Sequence, residues 1–173
     1  MSEAGAVTRP ATPSDAEAIC AIYNAAIAER ESTFETVSRT ANDFLARIEA
    51  ERFPLLAAAR GAAVLGWAGL SPYSDRPCYG GIAECSVYVD PQARGRGVGT
   101  MLVEALAAEA EAHGFHKLLG KLFTDNIAST RLCERCDFTP VGVHRRHGQL
   151  DGSWRDVLVV ERLLRLHTVA ESQ

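Results

Sequence analysis

No run of 18 or more apolar residues occurs in this chain, so it carries no candidate membrane-spanning helix. It opens Met1-Ser2-Glu3-Ala4-Gly5, without the basic-then-apolar order of a secretory leader, and a cytoplasmic location is expected. Positive charge is scarce. Eighteen Lys and Arg stand against 22 Asp and Glu, a net charge of −4, which disfavours nucleic acid as the main partner. Cysteine is sparse and odd in number: Cys20, Cys78, Cys85, Cys133 and Cys136. Reduced thiols follow from that count, not a disulfide framework. Cys133 and Cys136 make one C-x-x-C, but a zinc site needs two more ligands and no second pair exists. The pair is therefore read as helix packing, and no metal is expected. Repeats, linkers and low-complexity segments are absent as well. One domain is expected from 173 residues that are 47% hydrophobic.

What is present alternates between strand and helix signals. Val7 to Thr12 reads as a first strand, and Thr12 or Ser14 as the cap of a helix with Ile19, Ile22, Tyr23, Ala26 and Ile27 on one face. A loop follows over 29–36, then a short helix carrying Phe44, Leu45 and Ile48 that ends before Pro54. Apolar runs at 55–59 and 63–70 flank Arg60-Gly61 as a hairpin. A loop rich in Pro, Gly and Tyr covers 71–81. Strands are predicted at 82–89, 117–123, 138–144 and 154–163, with a five-residue turn at 148–152 closing the last two. Helices are predicted from Val98 to the Gly114 stop, and from Asp125-Asn126 to about Glu134. The order β-α-α-β-β-β-α-β-α-β-β is α/β with a mixed sheet. Residues 1–6 are expected to be disordered, 7–166 to form the domain and 167–173 to fray.

The most informative stretch runs from Glu84 to Thr100. Val87 and Val89 alternate with Ser86 and Tyr88 as in a strand, and Asp90-Pro91 stops it. Gly95, Gly97 and Gly99 then expose backbone N–H groups at the start of a helix, where the helix dipole favours anions. Arg94 and Arg96 can add charged hydrogen bonds to phosphate oxygens. Together these make a cradle suited to a pyrophosphate. No Lys follows the glycines, which excludes a P-loop, and the spacing G-x-G-x-G is not that of a dinucleotide fingerprint. Glu84, upstream on the same strand, places a carboxylate beside the cradle.

Arg94-Gly95-Arg96-Gly97-Val98-Gly99, preceded by Val87-Tyr88-Val89-Asp90-Pro91, closely resembles the coenzyme A loop of the Gcn5-related N-acetyltransferases (GNAT). The resemblance covers about residues 7–163. It implies a single-domain GNAT fold, a mixed, mostly antiparallel sheet flanked by helices, with acetyl-CoA as co-substrate. It narrows to the phosphinothricin acetyltransferase branch on four segments. These are Glu29 to Glu35, Tyr73 to Tyr79, Ala83 to Val89, and Gly142 to His147 with Gly152 to Asp156. That branch acetylates the α-amino group of small acidic amino-acid analogues such as phosphinothricin, arsinothricin and methionine sulfone or sulfoximine. It implies a resistance or detoxification role and a homodimer. The fold also serves protein N-terminal or lysine acetylation, and a non-catalytic acyl-CoA sensor is a further alternative.

By this resemblance Glu84 is the general base that takes a proton from the acceptor ammonium. Val87, Tyr88, Val89, Arg94, Gly95, Arg96, Gly97, Val98, Gly99 and Thr100 hold the cofactor, with a strand-end N–H receiving the carbonyl oxygen. Asn126 hydrogen-bonds its pantetheine arm and Ser129 lies near its phosphates, although Asn126 is also suited to cap a helix. Thr33, Phe34, Tyr73, Arg76, Tyr79 and His147 are assigned to the acceptor, Arg76 for its two-point fit to an acidic group. Two positions depart from the branch. Cys133 stands where a Tyr or His general acid is usual, and either donates that proton or only packs. Asp137 replaces a Gly and must tolerate positive φ.

Overall fold

The computed structural model describes residues 5–50 and 52–165. Of the segment expected to be disordered, 1–6, residues 1–4 lie outside the described residues, as does the tail expected to fray at 167–173, whereas Ala6 packs against the core, contrary to that expectation. The elements are β1 (Val7–Pro10), α1 (Ala16–Glu29), α2 (Ala41–Ile48), β2 (Leu55–Arg60), β3 (Ala63–Pro72) and β4 (Ile82–Val89). They continue as α3 (Val98–Ala112), β5 (Lys117–Phe123), α4 (Ile127–Arg135), β6 (Thr139–Leu150) and β7 (Ser153–Leu163). The order is the one expected. The chain is one α/β domain with a seven-stranded sheet in the order β1-β2-β3-β4-β5-β7-β6. Neighbours are antiparallel except β4 and β5.

Both faces of the sheet are covered. β2 reads Leu-Leu-Ala-Ala-Ala because its two faces are buried, and alanines let helices approach closely from each side. On one face α3 seats Leu102, Leu106 and Ala110 against Ala58, Ala83 and Leu118. Burying each leucine stabilises the fold by about 1.5–3 kcal/mol. On the other face α1 and α2 bring Ile19, Ile22 and Phe44 onto Trp67 and Leu55.

Several boundaries moved. β1 stops at Pro10, and Thr12 enters a 3₁₀ turn at Pro13–Asp15 before α1 begins. β6 runs to Leu150, so the last turn is only Asp151-Gly152, both at positive φ (48° and 80°), not the five residues expected. Asp137 does adopt positive φ, at 59°.

Asp15 anchors the entry to α1. Its carboxylate takes both guanidinium ends of Arg9 (2.7 and 2.9 Å) and the N–H and hydroxyl of Thr12. The Arg9 hydrogen bond is the main cause holding its pKa down to about 2, from 3.8. A carboxyl held below its unfolded value stabilises the fold above pH ~4, and the gain drains away as pH falls toward 2. The shift corresponds to about 2 kcal/mol. Asp15→Asn is expected to lose about that much at pH 7 and to flatten the acid limb between pH 4 and 2. Urea melts at pH 7 and pH 3 check it. Equal losses at both would reject the assignment.

Candidate active site

The centre of the site is a wedge in the sheet. β4 pairs with β5 only through Ile82, Ala83 and Glu84, opposite Lys117, Leu118 and Leu119. Beyond that point β4 stays with β3 as far as Val89, and β5 stays with β7 as far as Phe123. The two strands therefore diverge. The N–H of Asp90 donates to Leu65 (2.9 Å), which makes Val89 and Gly66 a non-hydrogen-bonded pair. By alternation the N–H groups of Val87 and Val89 point into the wedge, without a strand to receive them. Backbone donors at such a place want an acceptor. Tyr88, by the same alternation, bonds β3 with its backbone and offers the wedge only its side chain.

Two cavities meet there. A narrow slot of about 100 Å³ is lined by Cys85, Val87, Asn126, Ser129, Leu132 and Cys133 among others. A wider cavity of about 340 Å³ opens on the α1 side, lined by Tyr23, Thr33, Phe34, Phe123, His147 and Val157 among others. Ser32, Tyr88, Lys121 and Leu122 belong to both. Glu84 is in neither lining; it reaches the junction through its carboxylate, which is paired at 2.5 Å with the Nζ of Lys121. The pair is partly open, with side-chain exposures of 28% for Glu84 and 45% for Lys121. Glu84 is thus partly buried and held by a cation.

At the slot's outer end stands the glycine loop. Gly95 and Gly97 have φ of 75° and 83°, values that other residues reach only with strain. Gly97 caps α3, and no side chain caps that helix, so its first N–H groups, on Val98, Gly99 and Thr100, face outward. The first helical bond of α3 is Met101 N–H to Gly97 O. Val98 contributes only its backbone, because its side chain is core. A Cβ on Gly99 would come within 3.2 Å of Leu132, so glycine there lets α4 close against α3. These features fit a pyrophosphate with an amide-bearing arm.

Arg94 is engaged within the protein. Its guanidinium binds Glu29 at 3.0 and 2.9 Å and its Nε donates to Val89 O. The side chain ties the loop to the end of α1. Arg96 is exposed at the loop's tip. Asn126 also differs from its pantetheine assignment. Its Oδ1 accepts the Ser129 N–H (3.0 Å), capping α4, and its Nδ2 donates to Glu31 O (3.1 Å). The cap reading is the one observed, with a tether to the 30–36 loop added.

Of the assigned acceptor residues, Thr33, Phe34 and His147 line the wide cavity. Phe34 meets Phe123 edge-on (4.8 Å) and lies on Gly148, where any Cβ would strike its ring at 2.7 Å. His147 arrives through a bulge: residues 145–147 of β6 stand opposite Asp156 alone. Tyr73, Arg76 and Tyr79 are not in either lining. They form their own cluster, with Arg76 over Tyr79 (5.6 Å) and Tyr73 edge-on to it (5.7 Å).

Cys133 lines the slot, and burial pushes its thiol up to about 11; Cys85 beside it is pushed up to about 12. A thiol near 11 holds its proton more tightly than an ordinary thiol near 8.5, so proton transfer from it to a leaving thiolate runs uphill. That favours packing over acid catalysis. Cys133→Ala is expected to keep kcat within about threefold, since a general acid normally contributes 10²–10⁴. A hundredfold loss would restore the acid role. Lys121, Tyr23 and Phe123 escaped the sequence reading; the one signal was a lysine in the middle of an apolar strand.

Comparison with known proteins agrees with this geometry. The model of the Acetyltransferase (GNAT) family matches residues 19–138. Phosphinothricin N-acetyltransferase of Streptomyces coelicolor is 33% identical over 162 residues, covering 90% of this chain and 95% of the relative. The L-methionine sulfoximine/L-methionine sulfone acetyltransferase of Pseudomonas paraeruginosa is 34% identical over 158 residues, 88% of this chain and 91% of its own. A Salmonella typhimurium structure solved with its cofactor acetyl-CoA superposes with a TM-score of 0.89 at 27% identity, covering 98% and 99% of the two chains.

Proposed function

This chain belongs to the acetyltransferase (GNAT) family of N-acetyltransferases, and we propose that it acetylates the α-amino group of a small amino acid or acidic analogue of the phosphinothricin or methionine sulfone type. The observation that carries the reading is the junction: a slot with open backbone donors meets a wider cavity at Lys121, which lines both and holds the Glu84 carboxylate. Acetyl-CoA, when bound, supplies a thioester carbonyl open to attack and a thiolate that leaves.

The chain's own groups do the remainder. N–H groups of Val98, Gly99 and Thr100 hold the phosphates at the uncapped end of α3. Val87 and Val89 N–H groups fix the arm and receive carbonyl charge. Glu84 takes one proton from the acceptor ammonium, directly or through one water, freeing the lone pair that forms the N–C bond. The amine's second proton passes to the departing sulfur, and Cys133 walls that path. Thr33, Phe34 and His147 shape the acceptor side.

A homodimer, a cytoplasmic site and a resistance role accompany this proposal. Exposed Val141 and Val143 on the edge strand β6 support association, and elution at monomer size would reject it. A thiol-release screen tests the function with phosphinothricin, arsinothricin, methionine sulfone, glutamate and short peptides. Turnover on peptides alone would move the assignment to protein acetylation; no thiol release with any acceptor would favour a sensor.

A further inference from the structure

The Glu84–Lys121 pair lies where the acceptor must sit if the proposed reaction is right, and the inference below rests on that reading. Among the described residues lining the wide cavity, Lys121 is the sole lysine or arginine. Four guanidinium groups from nearby elements are engaged elsewhere. Arg155 binds Asp125 at 2.7 and 2.9 Å, Arg30 binds Asp151, Arg39 binds Glu35, and Arg76 stacks on Tyr79 outside the lining. Phe34, Leu122, Phe123 and Val157 give the same cavity an apolar lining.

We propose that the Glu84–Lys121 ion pair is the receptor for the acceptor's zwitterion, opening so that the ammonium takes Glu84 and the α-carboxylate takes Lys121. The charges match in sign, and both ions are short-range neighbours of one point in the site. One contact separates carboxylate from ammonium in the protein, and an α-amino acid carries the complementary charges on atoms ~2.5 Å apart across its Cα. Exchange leaves every charge paired, so the site is never left with an uncompensated ion. It also vacates the Glu84 oxygen that Lys121 occupies, making it available to the proton it must accept. An amine without a carboxylate cannot take Lys121 away and leaves the pair closed. Lys121 is therefore a specificity-determining residue, and the acceptor class is the free α-amino acid, with its side chain against the aromatic wall.

The test compares L-methionine sulfone with its carboxamide, which is nearly the same size without the negative charge. Thiol release at saturating acetyl-CoA gives kcat/KM, and calorimetry on the coenzyme A complex gives binding of each compound independently of turnover. Wild type is expected to prefer the free acid by about 10-fold or more, the worth of a charged hydrogen bond. Lys121→Met should bring the ratio toward one, and Lys121→Arg should keep most of it. If the Met variant folds poorly, Lys121→Gln replaces it. An acid-to-amide ratio in the Met or Gln variant equal to that of wild type overturns the proposal, as does failure of wild type to bind the free acid. Binding preference that depends on Lys121 without any thiol release would instead sink the acetylation reading and leave this one standing.

Discussion

Glu84→Gln is expected to lower kcat by roughly 10²- to 10⁴-fold at neutral pH, the usual contribution of a positioned general base. The substitution is close to isosteric. A glutamine oxygen still accepts from Lys121, so the junction keeps its shape while its capacity to take a proton is removed. Folding should be almost untouched, because a half-open ion pair such as this contributes about 0–1 kcal/mol. The pH profile separates chemistry from binding. Below the pKa of the acceptor's amine the substrate arrives as an ammonium, and the base must remove a proton. Above it the amine arrives bare, so the gap between variant and wild type should narrow steadily. Equal rates across the whole range would remove Glu84 from the mechanism. A constant gap would make it a binding group, since the loss would then not depend on the substrate's proton.

The half of the site that was readable beforehand is the half built from neighbouring residues. Strand alternation, a proline stop, three glycines and an amphipathic helix all lie within β4, the loop and α3. β4 and β5 begin and end where expected because both are flanked by sharp breakers. β6 was cut short for a physical reason: an edge strand exposed along nearly its whole length has no apolar alternation to mark its end. What could not be read were the pairings across the fold. Arg94 reads locally as a phosphate ligand because it stands in a phosphate loop, while its guanidinium partner Glu29 lies 65 residues away. Asn126 reaches Glu31 over 95 residues. Lys121 finds Glu84 only because β4 and β5 run parallel before they part. Arg94 ties the glycine loop to the end of α1 and Asn126 ties α4 to the loop that follows α1, so cofactor and acceptor surfaces share one support.

Trp67→Ala should be the most destabilising single change, about 3–5 kcal/mol for a fully buried large aromatic. The indole is 1% exposed and is the hub of the α1–α2 face. Phe44 meets it at 5.5 Å, Tyr23 at 5.9 Å and Tyr88 at 5.0 Å, and the Arg47 guanidinium lies over the ring at 5.3 Å. Removing it empties the floor beneath Tyr23 and Tyr88, both of which line the acceptor cavity. Tm should fall by roughly 8–15 °C for a chain of this size. The acceptor KM should rise more than that for acetyl-CoA, because the glycine loop is held by α3 on the opposite face. Trp67→Phe is the control. Its ring keeps the edge-on contacts, and it dispenses with an indole Nε1 that is buried without a hydrogen-bond partner among the described residues. Relief of that orphan, worth about 1–3 kcal/mol, offsets much of the lost volume, so the Phe variant should melt close to wild type. Thermal melts and two-substrate kinetics on both variants decide the point. An alanine variant losing less than about 1 kcal/mol would mean that the cavity wall is held from elsewhere, since no fully buried hub should be so cheap to delete.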